Sequence, residues 1–191
     1  MTQRIMKAMT LAISQAFSGF ARDRRGVSAV EFAIVAPLMI GLYLGCVELS
    51  SGIAAQGKVS QTSSTLARLM SQLTTISASD MTDLLTASTS IMAPYSSANL
   101  SVTVSCLRID AGGNVTVAWS AAQNGSTRAT GSPVSIPSSL VVKSSQLLLA
   151  EATYAYTPTV AYTITGTLKL SDHMYMRPRI KTPPYNNVAC T

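Results

Sequence analysis

The stretch Arg24-Arg25-Gly26-Val27-Ser28-Ala29-Val30-Glu31-Phe32, followed by the apolar run Ala33 to Val47, decides how the rest of this chain is read. Basic residues stop at a glycine, a hydrophobic segment begins, and one carboxylate, Glu31, lies inside it. A charge at the centre of a membrane helix costs about 2.5–3.5 kcal/mol on insertion scales, so such a residue is usually functional. The uncharged residues Phe32 to Val47 number roughly 16, just short of the roughly 17–25 that a spanning helix needs. Counting from Val27 gives about 21 positions with one charge, enough to span if Glu31 is tolerated near the membrane edge. At ~1.5 Å per residue, Glu31 sits roughly 6 Å from Val27 along a helix axis.

Composition agrees with an anchored, exported chain. Of 191 residues, 47% are hydrophobic and only 12% charged. Soluble domains usually carry about 25% charged residues. Serine and threonine fill the polar positions instead. The net charge of +6 is mostly terminal: Arg4, Lys7, Arg22, Arg24 and Arg25 precede Val27, against Asp23 alone. No basic stripe with interleaved aromatics follows, so the charge does not point to nucleic acid. A basic N-terminus abutting an apolar run predicts a cytoplasmic N-terminus and an external C-terminus.

Three readings of the anchor stand side by side. Gly26–Val27 is cut on the cytoplasmic side, and the new Val27 ammonium pairs with Glu31 of a neighbouring subunit, neutralising two charges in a low-dielectric core. Alternatively the segment is an uncut signal anchor and Glu31 snorkels to the interface. The third reading is a secretory signal peptide cut near Gly52-Ile53-Ala54, for which the basic region is long. Pro37 inside the segment is expected to kink it. Gly41 and Gly45, four apart, offer a close-contact helix face.

Beyond the anchor, helical spacing continues. Ile53, Leu66, Leu69 and Leu73 supply apolar positions with Ala54, Ala55 and Ala67 between them, predicting one long helix from about 27 to 74. A Thr/Ser stretch, Thr74 to Ser79, breaks it. Asp80 and Asp83 read as the start of a second helix with Met81, Leu84, Leu85, Ile91 and Met92 on one side, ended by Ala93-Pro94. Leu100, Val102, Val104 and Cys106 alternate with polar residues, a half-buried strand. Asp110-Ala111-Gly112-Gly113-Asn114 is turn chemistry, and Val115 to Trp119 returns as a hairpin. Gln123 to Pro137 reads as a surface loop, Ser138 to Ser145 is ambiguous, and Leu147–Thr157 and Ala161–Leu170 read as strands joined at Pro158. The tail from Arg177, with Pro178, Pro183 and Pro184, reads as irregular. Helices followed by strands predict an α+β fold: a long N-terminal helix, membrane-spanning in its first half, packed on a small antiparallel sheet.

Several stretches together resemble the TadE-like family, pilin-like components of the tight-adherence (Flp) pilus. Arg24 to Pro37 is similar to that family's N-terminal segment, Glu151-Ala152-Thr153-Tyr154-Ala155-Tyr156-Thr157-Pro158 to its aromatic strand, and Met176-Arg177-Pro178-Arg179 to its C-terminal basic motif. The Val115-to-Trp119 strand after a glycine turn also fits, while Ala152 departs from the β-branched residue usual there. The resemblance implies a pilin-like fold and a minor pilin or pseudopilin acting in pilus assembly and cell adhesion. It implies cleavage after Gly26 by a prepilin peptidase, with Gly26 and Val27 as the processing site and Glu31 and Phe32 in assembly. The partners implied are other pilin-like subunits, the pilus assembly machinery and the inner membrane. The corresponding layout is a cytoplasmic leader (1–26), a transmembrane helix (27–48) and a periplasmic α+β domain (49–191). A different class of function, an unprocessed single-pass anchor for a periplasmic binding module, differs from this at Glu31.

Catalytic patterning is missing from the sequence. His173, the one histidine, stands beside Asp172 with no nucleophile placed near it. Cys106, Cys190 and His173 lack the spacing of a metal site, and no phosphate-binding glycine loop occurs, so neither enzyme activity, cofactor nor metal is expected. Cys46 reads as a small hydrophobe of the apolar run. Cys106 and Cys190 are a candidate disulfide that would close a loop of about 85 residues in an oxidising compartment. Tyr154 and Tyr156 share one side of their strand, either as a partner-docking surface or packed on the long helix. Arg177 and Arg179 form either a solvated basic tail or a pair with Glu151 or a partner's acids.

Overall fold

The computed structural model describes residues 24–159, 166–178, 184–186 and 188–190. It divides into two units, Met1–Val47 and Glu48–Thr191. Helix α1, Arg24–Gln72, supplies the described part of the first unit and the opening element of the second. In the first unit the helix continues through Pro37, and none of the side chains from 26 to 47 is buried.

The second unit is α+β. Its part of α1 buries Ala55, Val59, Thr62, Ser63, Leu66, Ala67 and Met70 at three- and four-residue spacing. The buried hydroxyls bond back to the helix, Thr62 to the Lys58 carbonyl at 2.9 Å, Ser63 to the Ser60 carbonyl at 3.0 Å and the buried Ser71 to the Arg68 carbonyl at 2.8 Å, so none is left unpaired. The expected register is only partly right. Leu66 and Ala67 are core, but Ile53 is 65% exposed and Leu69 40% exposed.

Helix α2, Ala78–Thr89, starts earlier than Asp80 because Ser77 is its cap. The Ser77 hydroxyl accepts the Asp80 N–H at 3.1 Å, and the Asp80 carboxylate accepts the Ser77 N–H at 3.0 Å, a reciprocal capping box. Met81 and Leu85 enter the core. Ile76, in the Thr/Ser break, is also buried, and its N–H donates to the Pro184 carbonyl of the C-terminal segment.

Four antiparallel strands follow: β1 Leu100–Ile109, β2 Val115–Gln123, β3 Ser145–Tyr156 and β4 Leu168–Met176, in the spatial order β2-β1-β3-β4. The hairpin turn is held by Asp110, whose carboxylate accepts both the Asn114 N–H and its side-chain amide at 2.8 Å. Gly113 takes φ +94°, which glycine adopts without strain. Even-numbered residues of β1 and β3 (Leu100, Val102, Val104, Cys106; Leu148, Ala150, Ala152, Tyr154, Tyr156) form one core with α1 and α2. The fourth strand was expected over Ala161–Leu170 but lies at Leu168–Met176; residues 161–165 fall outside the described residues. Its inward positions are Leu170, Met174 and Met176, and the polar Ser171-Asp172-His173 run that hid the strand is tolerated on a sheet edge.

The other face of the sheet is covered too. Leu107, Ile109, Val115, Val117, Leu147 and Leu149 form a second core, packed by Val134, Ile136, Leu140 and Val141. Those covering residues come from the segments read as a surface loop and as ambiguous. The correction has a backbone cause as well: the Gly131 N–H donates to the Val117 carbonyl (2.8 Å) and the Val117 N–H to the Ser132 carbonyl (3.0 Å), which pairs the open edge of β2. A bulge opposite Cys106/Leu107 joins the two cores. Leu107 pairs with Val117 but Cys106 with Trp119, so Ala118 is the extra residue. Strict alternation would put Val115, Val117 and Trp119 on one face; the bulge sends Trp119 to the helix side.

Cys106 and Cys190 are joined by a disulfide, with Cα atoms 6.1 Å apart and a sequence separation of 84. Replacing both cysteines by alanine is expected to lower stability by about 2–4 kcal/mol, read from urea unfolding of the oxidised protein.

Hydrogen bonds from Ser77 hold the Asp80 carboxyl below the ordinary aspartate value of 3.8, and those from Asn114 do the same for Asp110. Both contributions are full above the ordinary carboxylate range and are lost as pH falls through the depressed folded values. Unfolding midpoints measured down the acid limb should therefore decline less steeply for Asp80→Asn than for the parent. Ser77→Ala is expected to cost about 1 kcal/mol at neutral pH.

Candidate functional site

The described part of the first unit is a helix that no other described residue covers. Phe32 is 72% exposed and Ile34 71%, and Val27, Val30, Leu38, Ile40, Leu42 and Tyr43 are all more than half exposed. The stretch is long and apolar enough to cross a membrane. Glu31 stands among these residues with an exposed side chain and no ion pair among the described residues. A Cβ added at Gly26, Gly41 or Gly45 would meet nothing within 4 Å. Glycine in a helix interior costs about 0.5–1 kcal/mol relative to alanine, and packing among the described residues gives no reason for that cost at the three positions. Cys46 is a free, exposed cysteine of the same run.

The second unit opens with a polar cluster that the sequence reading did not single out. The Glu48 carboxylate accepts the Thr159 N–H at 2.7 Å and the Tyr156 hydroxyl at 3.4 Å. One turn on, the Ser51 carbonyl accepts the Tyr95 hydroxyl at 3.0 Å. Tyr95 packs edge-on against Tyr154 and Tyr156, with centroids 6.3 and 6.4 Å apart. Burial first, and then the Glu48 charge, raise the Tyr156 pKa, so its hydroxyl keeps the proton that it donates. Burial is also the leading cause of the raised pKa of Tyr154. Gly52 leaves room here: a Cβ on it would meet the Tyr156 ring at 3.8 Å.

This settles where Tyr154 and Tyr156 lie. They are 5% and 7% exposed, so the partner-surface expectation is corrected: they form the inner face of the domain. The cause is register, since even-numbered β3 residues face α1. Glu151, an odd-numbered neighbour, is on the opposite face and pairs with Arg128, not Arg177. The guanidinium is held by both carboxylate oxygens, with Nη2–Oε1 at 2.7 Å and Nε–Oε2 at 3.0 Å. The hydrogen bonds from Arg128 to Glu151 raise the arginine's pKa further. Arg177 is exposed and Arg179 lies outside the described residues. The acid three residues before Tyr154 signalled the aromatic strand, but the Arg128 partner had no signal, being 23 residues away in a loop.

Among the described residues, no cluster of three potential metal ligands occurs. His173 is exposed, its ring edge-on to Tyr175 at 5.3 Å. A groove of about 450 Å³ runs between Trp119, Arg128 and the C-terminal Tyr185–Val188 segment, with Trp119 and Tyr185 rings 5.4 Å apart. The arrangement as a whole offers an apolar helix to a surrounding medium or partner and gives no assembled acid, base or nucleophile among the described residues.

Residues 26–68 match the family model described as TadE-like protein. The matched stretch is the apolar helix plus most of its continuation, starting at Gly26 and including Glu31. No curated protein and no solved structure matches the chain.

Tyr156→Phe is expected to lower the stability of the domain by about 1 kcal/mol, and Glu48→Ala by about 1–2 kcal/mol because it also leaves the Thr159 N–H without its carboxylate. The double variant should cost less than the sum of the two, which a urea-unfolding double-mutant cycle reads directly.

Proposed function

We propose that this chain is a non-enzymatic, pilin-like subunit, a minor pilin or pseudopilin, of the tight-adherence pilus. The observation that carries the reading is the uncovered helix of residues 26–47, in which no side chain is buried although most are apolar. Such a surface is stable only in lipid or against other apolar helices. The match to the TadE-like family over residues 26–68 supports the same reading. So do Gly26, Gly41 and Gly45, at which an added Cβ would meet none of the described residues.

In this mechanism the basic N-terminus stays in the cytoplasm and the α+β domain faces the periplasm. A prepilin peptidase cuts after Gly26, where the absent Cβ leaves the scissile bond unobstructed. The new Val27 ammonium then pairs with Glu31 of a neighbouring subunit. Each charge is costly in an apolar medium by itself, and pairing removes most of that cost. Phe32 and the Gly41/Gly45 face contribute helix contacts in the assembly. The domain presents its outer faces to other subunits and the assembly machinery.

N-terminal sequencing of the protein from its native membranes should give a chain beginning at Val27. Glu31→Ala should still be inserted and cleaved but should lose pilus assembly, scored by counting surface filaments. An uncut chain whose Glu31→Ala form supports normal filaments would leave an unprocessed membrane-anchored binding module in its place.

A further inference from the structure

The exposed apolar surface of the helix does not end where the apolar run ends. Glu48 interrupts the sequence pattern, yet its carboxylate is turned to the domain, where the Thr159 N–H and the Tyr156 hydroxyl hold it. The side of α1 that the domain leaves open continues with Leu49, 67% exposed, and Ile53, 65% exposed, one turn apart. Ser50 and Ala54 beside them are exposed and uncharged, and the next charged residue along the helix is Lys58. These two large aliphatic side chains face water, with only small or polar residues between them and Lys58, and need an occupant.

We propose that Leu49 and Ile53 are seated in the outer acyl–headgroup boundary of the bilayer, so that the membrane-embedded stretch runs from Phe32 to Ile53. The proposal rests on the membrane-anchor reading above and moves the span toward the domain by about one and a half turns. Phe32 to Ile53 is about 22 residues and about 33 Å of helix, close to the ~30 Å hydrocarbon thickness. The interval Phe32 to Val47, by contrast, is too short. Lipid is favoured over a second copy because the two residues continue the uncovered apolar surface of residues 26–47 without a charged break on that side. Placed this way, Glu31 lies at the cytoplasmic boundary of the hydrocarbon and Glu48 is screened from lipid by its own domain. Tyr156, with its hydroxyl on Glu48, then stands at the interfacial depth where tyrosine is enriched.

The test is depth-resolved quenching. Full-length Leu44→Trp, Leu49→Trp and Ile53→Trp variants are reconstituted in phosphatidylcholine vesicles with and without bromine on the acyl chains. The parent, which has Trp119 only, gives the background. Leu49→Trp and Ile53→Trp should be quenched by brominated lipid to an extent comparable with Leu44→Trp. Quenching of Leu44→Trp alone overturns this span while leaving the anchor intact. Quenching of none of the three overturns both. Blue-shifted emission at Ile53→Trp without bromine quenching marks a protein partner, such as a second copy, and also overturns the proposal. All three substitutions are at exposed positions, and an intact Cys106–Cys190 bond reports that each variant has folded.

Discussion

One helix has to satisfy two different media, and the rest of the structure depends on that constraint. Helix α1 offers apolar side chains all round over residues 26–47, but a narrow face of Ala55, Val59, Leu66, Ala67 and Met70 over its second half. An all-round apolar helix suits lipid or a bundle of similar helices, while a one-sided helix suits a sheet. The change between them falls at Glu48, the first partly buried carboxylate and the first residue of the second unit. Its hydrogen bonds to β3 and the residue just past Pro158 mean that the boundary is held by the sheet as well as by composition.

Much of the fold could be read from the residues because local pattern and tertiary environment agree there. The alternation of Leu100, Val102, Val104 and Cys106 gave β1, and the glycine-rich turn gave its hairpin. The reading failed where environment overrides pattern. Leu69 and Ile53 keep helical spacing but lie off the face that Ala55, Val59, Leu66 and Met70 present to the core. Val134, Ile136, Leu140 and Val141 have neither period, since they cover the sheet as irregular chain. The β4 strand carries Asp172 and His173 because it is the end strand of the described sheet, and that position belongs to the topology. The Ser77 capping box was readable, being a serine three residues before an acid, and the more conspicuous acids Asp80 and Asp83 drew attention from it.

The candidate membrane stretch was legible for a simpler reason: its length and apolar composition are properties of the sequence itself. Gly26, Glu31 and the apolar run need no tertiary knowledge, and the TadE-like match covers the same residues. The cluster around Glu48 was not legible, because it joins residues 108 and 111 positions apart in sequence. The tyrosine pair gave half of its meaning. Its shared side was clear from period two, but which layer that side faced needed the register of β3 against β1.

The bulge at Ala118 marks the one place where β2 can lose a residue and keep its layers. The strand's odd-numbered residues serve one layer before that residue and the opposite layer after it. Loss of Ala118 would leave Val117 opposite Leu107 and Trp119 opposite Cys106, so each would keep its layer. A deletion elsewhere in the strand would exchange the two layers over the residues between it and the strand's end. The same deletion in the turn would be absorbed by the turn itself. Away from the bulge, drift is therefore confined to spelling, with the spacing held fixed by the need to serve two interiors with one strand.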